Sequence, residues 1–254
     1  MDDPALSGAH TDLSSDRTDH RTHLRSLFLD RYDAGRRLAH RLQAFRGPEV
    51  VVMGVPRGGI TVAYEIAVRL RLPLGAIVVN KLRVPYRPDL AFGAIGEDDT
   101  RIIDEVVVRS ALLTPEELAD TESHERASLH RRAERIRRHG PQPKLGGRTA
   151  LVVDDGVSTG MTARTACRAA YRRGAVRVVL AVPVAPHRIV RTLAYHADKI
   201  VCLETPANPR PLDESYLRFD PVTDTDVDHL LGTRRPGSAA PARIRLAESG
   251  NGSG

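Results

Sequence analysis

The stretch from Ala150 to Thr162, A-L-V-V-D-D-G-V-S-T-G-M-T, decides the fold. Leu151, Val152 and Val153 are apolar without alternation, the pattern of a parallel strand covered on both faces. Asp154 and Asp155 end that strand, and Gly156, Val157, Ser158, Thr159 and Gly160 follow as a small-residue loop. From Met161 the pattern turns helical, with Ala163, Ala166, Ala169 and Ala170 recurring. A loop of this kind is a place for a phosphate, because the helix's first N–H groups lack partners and its dipole favours an anion. Gly156 and Gly160 permit close backbone approach, and Ser158, Thr159 and Thr162 add hydroxyl donors. Two carboxylates would repel a phosphate, so they face another part of the ligand. Ionised carboxylates only accept hydrogen bonds, and a sugar diol offers donors. A ribose 5-phosphate fits.

A second unit of the same kind lies upstream. Glu49 to Gly54 reads as a buried strand, Val55-Pro56-Arg57-Gly58-Gly59 as a loop, and Ile60 to Leu70 as a helix. The loop lacks the terminal Lys-Ser/Thr of a P-loop and the spacing of a dinucleotide fingerprint. Gly58 and Gly59 suit a nest of free N–H groups, and the Arg57 guanidinium would neutralise a diphosphate held there. Two anion sites flanking diol acceptors describe a ribose phosphorylated at both ends.

V-V-D-D-G-V-S-T-G-M-T resembles the phosphoribosyl-pyrophosphate (PRPP) signature of type I phosphoribosyltransferases: apolar residues, two acidic ones, then a small-residue loop with T-G. The resemblance spans roughly the middle four-fifths of the chain by element order. F-L-D-R-Y-D-A-G-R-R-L-A is similar to the opening helix of a bacterial subgroup of unassigned acceptor. The resemblance implies an α/β fold, a doubly wound and mostly parallel sheet with a small hood. It implies PRPP-dependent transfer of ribose 5-phosphate to a nitrogen nucleophile, a nucleobase above all, with release of pyrophosphate, in nucleotide salvage. PRPP would be held by Pro56, Arg57, Gly58, Gly59, Lys81, Asp154, Asp155, Gly156, Val157, Ser158, Thr159, Gly160, Met161 and Thr162. Arg57 and Lys81 would be the catalytic cations that stabilise the leaving group. Mg²⁺ would bridge the pyrophosphate and the ribose hydroxyls, with Asp154 and Asp155 binding it directly or through those hydroxyls. The partners implied are PRPP and a small nitrogenous acceptor, and a homo-oligomer stays open.

Three features bear on the acceptor side. Lys81-Leu82-Arg83-Val84-Pro85-Tyr86-Arg87-Pro88-Asp89 is basic, Pro-rich and too irregular for an element, and the family places a mobile loop here, so residues 82–92 are expected to be a lid. Relatives that use 6-oxopurines carry an Asp where this chain has Ser158, and a serine has no comparable basicity, which disfavours that acceptor class. The subgroup's aromatic-rich hood segment is replaced here by N-P-R-P-L-D-E-S-Y-L-R-F-D-P.

Other readings of these residues exist. Gly156-Val157-Ser158-Thr159-Gly160 satisfies the nucleophile elbow of α/β-hydrolases, with Ser158 as nucleophile and His187, His196 or His229 offered as base. Asp154 and Asp155 would oppose an oxyanion beside that nucleophile. A strand and loop with no ligand is the plainest reading. A PRPP-sensing regulator that binds nucleic acid without turnover is a third function class.

The 254 residues can hold one medium domain plus tails, and 41% hydrophobic content with 4% aromatics suggests Val, Ala and Leu packing. The expected organisation is a disordered tail over 1–25, a domain over 26–232 with a hood mainly from about 183–222, and a flexible tail over 233–254. The net charge of +6 admits nucleic acid, but no basic run is interleaved with stacking residues. Arg131 to Arg138 lie in a helix that also carries Glu122, Glu125 and Glu134, which reads as a solvated face. Cys167 and Cys202 lack metal or redox spacing and read as small buried fillers. No apolar run reaches the ~18–20 residues of a membrane span, so a cytoplasmic protein is expected.

Further elements expected are a helix over Asp30 to Phe45, a strand over Leu74 to Asn80, and a hairpin of Ala91 to Gly96 with Arg101 to Val108. A helix capped at Thr114-Pro115-Glu116-Glu117 should run to about Arg138. Beyond the central unit come a strand over Val176 to Val182, a helix over Pro186 to Tyr195, a strand over Lys199 to Leu203 and a helix over Asp224 to Leu231. His187, near a helix start, is a weak hood candidate.

Overall fold

The computed structural model describes residues 26–208 and 210–233. The tails expected over 1–25 and beyond 233 lie outside the described residues. In chain order the elements are α1 (Arg31–Arg41), β1 (Val50–Gly54), α2 (Gly58–Leu70), β2 (Leu74–Ala76), β3 (Val79–Val84), β4 (Arg87–Gly96), β5 (Arg101–Ile103), α3 (Glu105–Ser110), α4 (Pro115–Arg137), β6 (Thr149–Val153), α5 (Met161–Arg172), β7 (Arg177–Val184), α6 (His187–Leu193), β8 (Lys199–Glu204) and α7 (Asp224–Gly232).

Five strands form a parallel sheet in the order β2-β1-β6-β7-β8. Alternate residues of its central strands enter two separate cores. Val50, Val52, Leu151, Val153, Val179 and Ala181 pack with α1 and α2. Val51, Met53, Ala150, Val152, Val178, Leu180 and Val182 pack with α5. Both faces are dry, which is why these strands read as unbroken apolar runs. The ladder fixes one row across the sheet, Ala76–Gly54–Val153–Ala181–Val201.

Helix α1 lies close on α2 through Gly35, where a Cβ would come within 2.7 Å of Glu65 Cβ and of the Val62 carbonyl oxygen. Only hydrogen fits, so the distance between the two helices is set at that residue. The expected helix to Phe45 stops earlier, at Arg41, and finishes in a short 3₁₀ turn over Gln43–Phe45.

The region between α2 and α4 departs most from expectation. The strand expected over 74–80 divides: β2 joins the parallel sheet, and β3 joins a second, antiparallel sheet β3-β4-β5. The stretch expected to be an irregular lid over 82–92 is instead the body of the β3–β4 hairpin, with Pro85 and Tyr86 at its turn. In K-L-R-V the apolar residues alternate with cations, and Leu82 and Val84 are fully buried with Phe92 in a third core beside α2, α4 and α7. Pro88 is accommodated because the ladder jumps from Arg83↔Ala91 to Val84↔Arg87, a bulge that leaves residues 88–90 unpaired. The strand expected to reach Val108 ends at Ile103, since Asp104 caps α3 by accepting from Val106 N–H at 3.1 Å and Val107 N–H at 3.2 Å.

Thr114 and Glu117 form the reciprocal capping box that starts α4. Only Leu129, Ala133 and Ile136 of that helix are buried. Its charged face carries an ion pair within the helix, Arg126–Glu122 at 2.7 Å, and one to the turn after β4, Arg137–Glu97 at 2.6 Å. Cys167 is buried, whereas Cys202 is only half-buried. Among the described residues no helix is long and apolar enough to cross a membrane.

A hairpin whose base belongs to a core has a stability signature that a lid lacks. Phe92→Ala should cost about 3–5 kcal/mol in urea unfolding, while Asp89→Ala, exposed in the bulge, should stay within about 0.5 kcal/mol.

Candidate active site

The chain leaves β1 toward β2 on one side and leaves β6 toward β7 on the other. The carboxyl ends of β1 and β6 therefore flank a topological switch point, where open α/β sheets hold ligands. The two strands are neighbours, and Val55 N–H donates to the Val153 carbonyl at 2.8 Å just beyond the ladder. Two loops emerge there side by side: Val55 to Arg57, with a cis Pro56–Arg57 peptide, and Asp154 to Gly160.

These loops touch. A Cβ on Gly58 would lie 2.0 Å from Asp155 Oδ2, and one on Gly59 would lie 2.7 Å from the Val153 carbonyl and 3.0 Å from Asp154 Oδ1. The expected nest at Gly58-Gly59 is not formed: both glycines sit in the first turn of α2 and neither has a positive φ. Their missing side chains make room for the acidic pair. In the second loop Gly156 (φ +155°) is roofed by Leu212, 2.2 Å from where its Cβ would be, and Gly160 (φ +83°) is the N-cap of α5. Buried Val157 and Met161 anchor this loop, leaving Ser158 and Thr159 exposed and Thr162 half-buried. Helices α2 and α5, which start at the crevice, have no side-chain N-cap, whereas Asp30, Asp104, Thr114 and Thr223 cap α1, α3, α4 and α7. Unclaimed N–H groups thus collect at this edge.

The two carboxylates are not equivalent. Asp155 Oδ2 accepts from Arg31 Nε at 2.8 Å, with both side chains largely buried. The Asp155 carbonyl accepts from Tyr216 Oη at 2.5 Å. Asp154 Oδ1 accepts the Asp155 N–H at 2.9 Å. Burial, and then the adjacent Asp155 charge, push the Asp154 carboxyl well above the ordinary range, against an opposing pull from Lys81. Burial and then Arg83 lower the Lys81 ammonium, against the attraction of Asp154 and Asp155. Lys81, at the base of the hairpin, is therefore electrostatically part of the acidic cluster. Arg57 is exposed, with Nε 4.0 Å from Asp224 Oδ1 at the start of α7, a contact of little energetic weight in water.

Sequence reasoning missed Arg31. The signal was present: Arg31 shares the face of α1 that carries the buried Ala34 and Leu38 and leads to the buried Leu42, and an arginine on a buried stripe needs a buried partner. It also missed the N-terminal share of the hood. Phe28 bridges to Tyr216, Leu27 and Phe28 N–H both donate to the Ser215 carbonyl at 3.0 Å, and Leu217 N–H donates to the Phe28 carbonyl at 2.8 Å. Part of the stretch expected to form the hood is instead β8, at the edge of the main sheet. His187 is exposed at the start of α6.

Among the described residues no group of three or more His, Cys, Asp or Glu could hold a metal on its own. The donor set here is two adjacent carboxylates, one already engaged by Arg31. Such a set suits Mg²⁺ that draws most of its ligands from substrate oxygens and water. Two open clefts, of about 480 Å³ beside α4 and α7 and about 420 Å³ beside α5, lie away from these loops.

Gly58 tests the contact between the loops. Gly58→Ala would force a methyl against Asp155 Oδ2 and Arg31 Nε, so it should lower the melting temperature by several degrees. Gly146→Ala, with open space around it, should change it little.

Comparison with known proteins agrees with this geometry. The model of the phosphoribosyl transferase domain matches residues 29–215. Two Mycobacterium tuberculosis proteins, Rv0571c and MT0597, both provisionally named phosphoribosyl transferases, are 48% identical over 205 residues, which is 81% of this chain and 46% of theirs. The chain thus spans about half the length of these curated relatives. The crystal structure of TT1426 from Thermus thermophilus is 37% identical, with a TM-score of 0.68 over 81% of this chain and 97% of that one. With Asp154 and Asp155 ending β6 and the small-residue loop leading into α5, the chain belongs to the phosphoribosyl transferase domain family, in its type I branch.

Proposed function

We propose that this chain transfers ribose 5-phosphate from PRPP to a small nitrogen nucleophile, a nucleobase above all, and releases pyrophosphate. The observation that carries this reading is the direct contact of two uncapped strand-to-helix loops at the switch point, with the acidic pair between them. A ligand anionic at both ends and rich in hydroxyls between them matches that order of groups.

On this reading the Asp154–Thr162 loop and the first turn of α5 receive the 5-phosphate through backbone N–H groups and the Ser158, Thr159 and Thr162 hydroxyls. Pro56, Arg57, Gly58 and Gly59 take the pyrophosphate, with Lys81 beside it. Displacement at the sugar's anomeric carbon builds positive charge on the ring and negative charge on the leaving group. Catalysis is then mainly orientation plus placed cations, here Arg57 and Lys81. Mg²⁺, held by Asp154 and Asp155 directly or through ribose hydroxyls, would supply further charge neutralisation for the pyrophosphate. Ser158 occupies the position where an acid would serve a 6-oxopurine acceptor, which leaves adenine-, pyrimidine- or amine-type acceptors. The same reading places the chain in the cytoplasm and in nucleotide salvage. The nucleophile-elbow reading of Ser158 loses its support once the family is assigned.

Calorimetric titration of PRPP with Mg²⁺ tests the site. Wild type should bind, and Asp154→Asn with Asp155→Asn should weaken binding by about 100-fold, since charge-assisted hydrogen bonds to the hydroxyls are lost. Unchanged affinity would refute the assignment. A panel of nucleobases with labelled PRPP should give product from a non-6-oxopurine base, and robust turnover of hypoxanthine would overturn the Ser158 argument.

A further inference from the structure

Arg31 belongs to neither ligand loop, yet its side chain touches the acidic motif, the first turn of α2 and the 216–220 segment. Nε donates to Asp155 Oδ2 at 2.8 Å, Nη1 donates to the Asp220 carbonyl at 2.8 Å, and the guanidinium carbon lies 3.7 Å from the centre of the Phe219 ring. A Cβ on Gly58 would come within 2.9 Å of Nε, so the pyrophosphate loop lies against it as well. The remaining contacts between hood and crevice fall on the same place: Tyr216 Oη on the Asp155 carbonyl, and Leu212 over Gly156.

A planar guanidinium can bond a carboxylate along one edge, a carbonyl along another and an aromatic ring on its face, all at once. A lysine supplies the charge and one of the three contacts. The residue type is therefore dictated by bridging as much as by neutralisation.

We propose that Arg31 is a positioning residue that couples the hood to the ligand loop. The placement of Asp155 over the ribose sets, through the guanidinium, the placement of Phe219 and Asp220, and hence the wall turned toward the acceptor. Occupancy of the crevice is thereby communicated to the segment that carries Phe219 and Asp220. This rests on the PRPP reading. By linkage, a hood ordered by PRPP binding strengthens PRPP binding in return.

The test combines PRPP–Mg²⁺ calorimetry with amide hydrogen exchange over residues 26–31 and 212–220, with and without ligand. In wild type, saturating PRPP should slow exchange in both segments about tenfold. Arg31→Lys should keep protection in β6 and α5, lose the ligand-dependent protection of both segments and, by the same linkage, bind PRPP up to about tenfold more weakly. Should Arg31→Lys fail to fold, Phe219→Leu removes the stacked face while leaving the Arg31–Asp155 pair intact, and it should reduce the ligand-dependent protection by half or more. Full ligand-dependent protection in the folded variant, or a wild-type hood indifferent to bound PRPP, would overturn the coupling alone. Failure of wild type to bind PRPP would overturn the reading beneath it.

Discussion

A buried ion pair between Arg31 and Asp155 holds together parts of the chain that the sheet alone would leave apart. Such a pair is costly, because both ions leave water, and its Coulombic gain suffices only when the other polar atoms of each partner are satisfied. Here part of that need is met. Asp220 takes a second guanidinium N–H, Phe219 covers its face, and Tyr216 bonds the Asp155 backbone. Removing one partner of such a pair typically costs about 3–5 kcal/mol, since the other is left buried and unpaired. The pair also requires Arg31 to be delivered accurately. Asp30 caps α1 by accepting the Asp33 N–H at 2.8 Å and receives Arg218 Nη2 at 2.9 Å, while Gly35 sets the distance of α1 from α2. Helix packing more than 120 residues upstream of the acidic motif thus decides where its second carboxylate points.

The sheet supplies the second constraint. Because β1 and β6 are paired with Gly54 opposite Val153, both loops start at one level, and the glycines at positions 58 and 59 let them close on each other. Gly54 itself is forced, since a Cβ there would lie 2.8 Å from Ile60 Cδ1 and 2.9 Å from Ala63 Cβ. That contact brings α2 down onto the end of β1 and aims its first turn at the crevice. Ladder register sets loop height, and loop height sets loop contact, with the closures at Gly54, Gly58 and Gly59 fixed by atoms too close to admit a larger residue.

The parallel core was legible because burial on both faces leaves a run such as V-V-V-M or A-L-V-V with no polar interruption, and the two acid- or cation-bearing loops follow those runs directly. The hairpin was not, because Pro85 and Pro88 look like breakers when counted by composition. Their tolerance depends on a bulge and a turn that only the pairing with β4 reveals. The period-two alternation of Lys81-Leu82-Arg83-Val84 was the better local signal, and it places Lys81 on a braced strand rather than in a loop. Gly58 and Gly59 read as a nest in the sequence and admit the acidic pair in the fold: a glycine that admits a neighbouring carboxylate and one that forms a nest are indistinguishable until the neighbour is known. Arg31 was legible only as an anomaly, a cation on an apolar stripe, with no indication that its partner would lie in the acidic motif.

The inequality of the two carboxylates follows from these constraints and bears on what the site is for. Asp155 is neutralised within the fold by Arg31, so its charge has a structural partner whether or not ligand is present. Among the described residues no cation forms an ion pair with Asp154: its surroundings disfavour the ionised form, and Lys81 offsets that only in part. Burial and then Arg83 keep Lys81 below its usual range, against the attraction of the two carboxylates, so neither group gains much from the folded chain alone. A carboxylate serving only stability would be better replaced by an apolar or amide side chain at this position. On the proposed function, a ligand bearing hydroxyl donors or a divalent cation would satisfy Asp154 at the moment when anionic groups on the same ligand satisfy Lys81.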